Sequence, residues 1–222
     1  MKTVIMQPYF FPYIGYYQLA RKADKFIFLD NVNYIKKGYI NRNSITSNNE
    51  KTTFTIPINK ASQFKKINEL FYIDDFSKFL KQIFFSYKKH EYFHEIYEII
   101  EKICLDNDNN VANKNALSIR EIFNYLEIPF NSDFSSNIPI NKELTGENRI
   151  IELCRQLNTA TYINAEGGKT LYHEENFKKN EINLEFHNSQ IRPYEQKTKV
   201  FIPYLSIIDV LMNNGKKTKN LI

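Results

Sequence analysis

Cysteine is scarce in this sequence, with Cys104 and Cys154 alone, far apart and each inside an apolar helical pattern (EIIEKICL and RIIELCRQL). That excludes a disulfide scaffold and gives two buried free thiols, which points to a reducing, cytoplasmic setting. Long apolar runs are also missing. None approaches the roughly 18 residues that a membrane span needs. The run Thr3-Val4-Ile5-Met6 is cut at once by Gln7-Pro8, too early for a secretory signal. Nor is there a large excess of one charge. Thirty Lys and Arg face 25 Asp and Glu, for a net +5. The basic residues come in pairs such as Lys36-Lys37 and Lys216-Lys217, and not in the blocks of a nucleic-acid arm, so DNA is not an expected partner. A mildly basic surface still suits anionic metabolites. With six glycines the chain has no Gly-x-Ser-x-Gly, no Walker A loop and no Gly-x-Gly-x-x-Gly.

What is present is the composition of a folded domain. The chain has 222 residues, 42% hydrophobic and 15% aromatic, enough to bury its own core. Residues 2–6 (KTVIM) read as a buried strand that Pro8 terminates. Helical spacing follows from Ile14 to Lys22, then a second strand over 25–29 (KFIFL). Strand, helix and strand within thirty residues make a βαβ unit, so these two strands should be parallel. A third strand is expected over 52–57 (TTFTIP). The centre reads as helical: a segment opened by Asp74-Asp75, a helix over His90–Leu105, and another over about 114–126. The last third alternates again. A helix starts at Thr145-Gly146-Glu147-Asn148, and a strand over 161–164 (TYIN) leads to the turn Glu166-Gly167-Gly168. A short helix, a strand at 182–187 (INLEFH) and a helix over about 205–213 complete the chain. The expected fold is α/β, one domain over 1–222. Its parallel-containing sheet comes from the N- and C-terminal parts, with a helical insertion in the middle at about 62–130.

Chemistry-bearing residues concentrate at the two ends of the sequence. Gln7, Tyr9 and Gly15 follow the first strand at the entrance to a helix, the place where open parallel sheets bind ligands. Asp30 ends the second strand, where a carboxylate can orient a hydroxyl or an amine. In Asn41-Arg42-Asn43, read as a loop, a guanidinium stands between amides and suits a phosphate or carboxylate. Gly167 allows close approach to a ligand. Gln196, Ser206 and Asp209 form a second polar set, in which Ser206 also reads as a helix N-cap and Asp209 as a solvent-facing helical residue. His90-Glu91-Tyr92-Phe93-His94 matches the His-Glu-x-x-His zinc pattern, but no third ligand follows at a recognisable spacing. It is read as a chance match, and no metal is assigned.

Taken together, MQPYFFPYIGYYQLARKADKFIFLDNVNYIKKGYINRN, TYINAEGG and PYEQKTKVFIPYLSIIDVLMNNG resemble the WbqC-like family of bacterial surface-polysaccharide gene clusters. Where the family loop commonly carries a second aspartate, this chain has Asn31. The resemblance implies a cytoplasmic role in O-antigen, that is lipopolysaccharide, or related glycan biosynthesis. The implied activity is transfer of glycine or another amino acid to the amino group of a nucleotide-linked amino sugar. Its acyl donor would be a free amino acid with ATP as activating co-substrate, an aminoacyl-tRNA or a thioester. The strand–PxxxPxxGY–helix–strand start also looks like a reduced form of the class I nucleotidylyltransferase arrangement, with Gly15-Tyr16 where that superfamily has Gly-His. A non-catalytic sugar-nucleotide-binding module is the competing class.

For amide transfer, Asp30 would orient or deprotonate the amine. Lys37 would act with it, and Lys37 and Arg42 would hold anionic groups. Gln7, Tyr9, Gly15, Asn41, Gly167, Gln196, Ser206 and Asp209 would line the substrate pocket. The two ends of the chain should then converge on one cleft, with Asp30 facing it within reach of Lys37 or Arg42.

Overall fold

A computed structural model describes residues 1–222. Five parallel strands form the sheet: β1 (Lys2–Met6), β2 (Lys25–Phe28), β5 (Ser132–Phe134), β6 (Thr161–Ala165) and β7 (Asn183–His187). Their spatial order is β5-β2-β1-β6-β7. Renumbered along the sheet's own strands this is 3-2-1-4-5, a doubly wound order that reverses direction at β1. The expected pairing of the first two strands is present, in register from Thr3 opposite Lys25 to Met6 opposite Phe28.

Alternation along each strand explains why both faces are covered. Val4, Phe26, Phe28 and Ile163 point to one side, and Ile5, Ile27, Tyr162 and Leu184 to the other. Right-handed crossovers running outward from β1 in two directions put their helices on opposite faces. Accordingly α1 (Ile14–Ala20) lies on the first face, and α5 (Gly146–Gln156) and α6 (Glu174–Lys178) on the second. The first face is the larger core, with 41 buried residues against ten, because the central segment and the last helix also pack there. Phe26 and Phe28 are fully buried in it, each worth about 2 kcal/mol of apolar transfer.

The central segment holds α2 (Ser77–Tyr87), α3 (Phe93–Cys104) and α4 (Val111–Tyr125), the expected helical insertion. Lys114 of α4 is wholly buried, and its ammonium donates to the carbonyls of Ile103 (3.0 Å), Cys104 (3.4 Å) and Asp106 (2.9 Å). A cation there satisfies and neutralises the carboxyl end of α3. The closing helix α7 (Ile207–Asn214) brings the C-terminal part back onto the same core.

Three local readings need correction. Arg42 is not in a loop. It begins β3 (Arg42–Ser47), which pairs antiparallel with β4 (Glu50–Thr55), where a strand over 52–57 was expected. The hairpin turns at Asn48-Asn49, both left-handed (φ 50° and 66°), as a two-residue primed turn requires. The polar RNSITS conceals a strand because its neighbours, and not its own side chains, supply the apolar cover. His90 is not helical either. It stands in a turn before α3, with Nδ1 3.2 Å from the Tyr87 carbonyl, so it does not share a helix face with His94. Finally, the three-residue edge strand β5 has no counterpart in the sequence reading. No helix is long and apolar enough to cross a membrane.

Candidate functional site

In an open parallel sheet the ligand crevice lies outside the carboxyl ends of the strands, where the strand order reverses. Here that point is between β1 and β6, flanked by the loop after Met6 and the turn after Ala165. Gln7 is half-buried there. Its carbonyl accepts from the Tyr16 hydroxyl (3.0 Å), and its side-chain amide has no partner within the chain. Across from it, Asn164 is buried and its Oδ1 accepts from the Ala165 N–H (2.7 Å). A Cβ on Gly168 would stand 2.8 Å from Asn164 Nδ2, so glycine is needed to admit that side chain. Gly167 differs. Nothing lies within 4 Å of where its Cβ would be, so neither packing nor a positive φ demands glycine.

Beside this edge the loop Pro8–Tyr13 opens onto a cleft of about 280 Å³ lined by Tyr9, Pro12, Tyr13, Tyr39, Asn43 and Tyr204. Both ends of the chain build it. Ser206 Oγ donates to the Phe11 carbonyl (2.7 Å), Ser206 N–H to the Ser44 carbonyl (2.8 Å), and Ile207 N–H to the Pro12 carbonyl (2.9 Å). The Tyr13 and Tyr204 rings stand 6.2 Å apart, and those of Tyr9 and Tyr39 6.3 Å. Phe11 (φ 44°) and Tyr204 (φ 58°) are left-handed aromatics. Such backbone strain in bulky residues gathers where a side chain must be aimed. Burial raises the Tyr9 pKa, helped by Tyr13 and Tyr39, so the phenol stays a neutral donor. Four tyrosine rings with polar tips suit the face of a base or a sugar.

Asp30 stands at the end of β2 and is 2% exposed. Its Oδ1 accepts from Ser135 Oγ (2.9 Å) and Ser136 N–H (3.0 Å), and its Oδ2 from Asn68 Nδ2 (3.0 Å). The expectation that it reaches Lys37 or Arg42 is not met. It forms no ion pair with either, and the Arg42 guanidinium donates instead to the Lys37 carbonyl. The cation whose field Asp30 does enter is Arg149, in the first turn of α5 and 7% exposed. Burial lowers the Arg149 pKa and Asp30 opposes the fall. Its Nη1 donates to the Leu144 carbonyl (3.3 Å), while Nε is buried without a partner. Arg149 was not singled out in the sequence. The available signal was its place in a helix start, since helices that precede a parallel strand begin at the sheet's carboxyl edge.

The other expected site residues are held by structure. Asn41 accepts from the Tyr34 hydroxyl (2.9 Å) and donates to the Ile56 carbonyl (2.7 Å). Gly15 is packed so closely that a Cβ would meet the Tyr13 ring at 2.4 Å and Ser189 Oγ at 2.7 Å. Gln196 grips the backbone of Ile202 through both amide atoms (3.0 and 2.8 Å). Ser206 caps α7, accepting from Ile208 N–H (3.3 Å). Asp209 does not face solvent. It is wholly buried, against the expectation for its helix position.

The order of the strands, the crevice at their reversal and the helices on both faces define a doubly wound α/β protein. Within that class, residues 7–221 match the WbqC-like protein family, to which this chain belongs. A relative from Mycobacterium tuberculosis, the uncharacterized protein Rv1507c, is 28% identical over 220 residues, covering 96% of this chain and 94% of its own. No solved structure matches.

Proposed function

We propose that this chain is a transferase of bacterial surface-glycan (O-antigen) biosynthesis. In this reading it attaches glycine or another amino acid to the amino group of a nucleotide-linked amino sugar, acting in the cytoplasm as one α/β domain. The observation that carries the reading is the tyrosine-lined cleft beside the β1–β6 crevice, a surface for a base or sugar next to an edge rich in hydrogen-bonding groups. Family membership supports the glycan setting.

Amide formation brings an amine lone pair onto an activated acyl carbon, expels the leaving group and releases one proton. The two thiols are buried and pushed up to about 12, so neither is available as a thiolate, and direct transfer is favoured over an acyl-enzyme. The free amide of Gln7 would bind a sugar hydroxyl or the acyl oxygen. The empty space over Gly167 would admit the substrate close to the backbone. Asp30 accepts from Asn68 Nδ2 and Ser136 N–H and shares the single Ser135 hydroxyl proton with Asn31 Oδ1 (2.6 Å), which leaves only one or two of a carboxylate's four acceptor positions for an amine. It therefore serves better to orient the amine through its charge than to remove the proton. Lys37, whose ammonium makes no hydrogen bond, and Arg42 would hold anionic substrate groups at the rim.

Incubation with a panel of nucleotide-linked amino sugars, glycine and ATP, read by mass spectrometry, tests the proposal. A product enlarged by one glycyl residue supports it. Calorimetric binding without turnover under any donor identifies a binding module instead. The strand order favours a second enzymatic reading, nucleotidylyl transfer, and release of pyrophosphate from a nucleoside triphosphate would establish that one.

A further inference from the structure

The wall of the tyrosine cleft carries no charge. Four tyrosines, Pro12 and Asn43 make up its lining, with no Lys, Arg, Asp or Glu among them. A phosphate finds nothing there to pair with. At about 280 Å³ the cleft also lies below the range for drug-sized ligands, so it takes one ring and not a whole nucleotide-linked sugar.

Of the rings such a substrate offers, the geometry selects the sugar over the base. A base held flat between two aromatic rings needs them parallel and roughly 7 Å apart, two van der Waals contacts. Tyr9 and Tyr39 are tilted at 50° with their centroids 6.3 Å apart, and Tyr13 and Tyr204 at 51° and 6.2 Å. Each pair is in contact with itself and leaves no slot. A base also needs partners in its own plane, and the Asn43 amide is mostly spent. Its Nδ2 donates to the Phe11 carbonyl (2.9 Å) and its Oδ1 accepts from the Ser44 N–H (2.8 Å). The four phenol hydroxyls, by contrast, have no hydrogen-bond partner within the chain. A phenol both donates and accepts, as a sugar hydroxyl does.

Tyr204 adds an independent observation. Its left-handed backbone (φ 58°) is unfavourable for an aromatic residue, yet its side chain stands 62% exposed and meets one other ring, that of Tyr13. Packing within the chain does not offset that strain, so the ring is set for a contact outside it. We propose that the tyrosine cleft is the subsite for the pyranose of the substrate. The C–H face of the sugar lies on the tyrosine rings, with Tyr39 and Tyr204 exposed at the mouth, and its hydroxyls exchange hydrogen bonds with the phenols. Base and diphosphate stay outside. The inference rests on the proposed transferase reading for its ligand, a nucleotide-linked amino sugar, but needs no turnover to be seen.

Saturation-transfer NMR on the full chain with uridine diphosphate N-acetylglucosamine tests it, with uridine diphosphate as the probe that lacks the pyranose. Saturation should be strongest on the pyranose protons and weak on uracil. The nucleotide sugar should bind about 10-fold or more tighter than the diphosphate, by a ratio that salt leaves unchanged because the wall is uncharged. Tyr204→Gly, which suits the left-handed backbone, should lower that ratio by about 3-fold or more, with a urea midpoint equal to the parent's or higher. The proposal is overturned by saturation centred on uracil, by equal affinity for the two probes, by an unchanged ratio in Tyr204→Gly, or by no saturation of the pyranose. Pyranose contact without a glycylated product in the mass-spectrometric assay keeps the subsite and removes the transferase. A glycylated product with saturation centred on uracil does the reverse.

Discussion

Tyr87, the last residue of α2, donates its hydroxyl to Oδ2 of Asp209 in α7 at 2.6 Å. The same oxygen accepts from Thr46 Oγ1 (2.5 Å), and Oδ1 accepts from the Tyr194 hydroxyl (2.8 Å). No cation pairs with this wholly buried carboxylate. Neutral hydroxyls solvate it, with the Thr46 N–H and the Gln196 amide (both 3.3 Å). Burial, then the Asp209 charge, raises the Tyr87 pKa and keeps the phenol a donor. The network clamps α7 to β3 and α2. Ser206, at the start of α7, in turn fixes Phe11 and the tyrosine cleft.

Asp209→Ala should therefore act through stability. It leaves the buried hydroxyls of Tyr87 and Thr46 and the half-buried hydroxyl of Tyr194 without their acceptor, and one buried group so orphaned costs about 1–3 kcal/mol. A loss of about 3 kcal/mol or more in urea unfolding is expected. A change under about 0.5 kcal/mol, the range of ordinary surface substitutions, would show that the network contributes nothing.

Asp30→Asn removes a charge but does not preserve the hydrogen bonding. One oxygen becomes an amide N–H₂, which must face Asn68 on one side or Ser135 and Ser136 on the other. Stability should fall by about 1–3 kcal/mol. Under the proposed mechanism, turnover should fall further than the folded fraction does. Turnover that merely tracks the folded fraction would make Asp30 a structural anchor and remove it from the chemistry.

The cysteines give a prediction on pH. Burial pushes both thiols up to about 12 from an ordinary value of 9.0. A raised folded-state pKa leaves stability untouched below the unfolded value. Above it, the unfolded chain loses its protons first, so stability declines as pH rises from 9 toward 12. The buried tyrosines, raised by the same cause, push in the same direction. Urea midpoints should be level near neutrality and fall above about pH 9. Thiol reagents at about pH 8 should label the chain only after unfolding. Rapid native labelling of either cysteine would contradict this burial.

Much of the frame was legible because its signals are local. The KTVIM and KFIFL runs, cut by Pro8 and Asp30, are short continuous apolar stretches of the kind a strand covered on both faces needs, and their spacing leaves room for one helix. What escaped the sequence depends on distant partners. Strand β3 is polar and becomes a strand only against β4 and the Ser206 backbone. Arg149 looks like any charged residue of an amphipathic helix until the fold buries it within the field of Asp30. The meeting of the two chain ends was expected from shared composition, and it occurs through Phe11, Pro12 and Ser206. Gln196 and Asp209, however, lie in the clamp behind β3 and do not line the cleft.

Two glycines separate packing from function. At Gly15 an added methyl group would sit 2.4 Å from Tyr13 Cε2 and 2.7 Å from Ser189 Oγ, closer than real Cβ atoms come. Tyr13 would have to swing, and its ring lines the cleft, so Gly15→Ala should cost about 1–3 kcal/mol and weaken ligand binding together. Gly167 has no neighbour within 4 Å of its Cβ position and no positive φ. Gly167→Ala should leave the urea midpoint within about 0.5 kcal/mol of the parent. If substrate passes close to this turn, the same methyl group intrudes on it, and kcat/KM should drop by about 10-fold or more. The pair is informative because steric strain within the protein alone predicts Gly15 sensitive and Gly167 indifferent in every assay, whereas substrate contact makes Gly167 sensitive in activity only. Should Gly167→Ala retain parental turnover and binding, the β6 turn does not contact the substrate, and the site must be drawn from the tyrosine cleft and Gln7 without it.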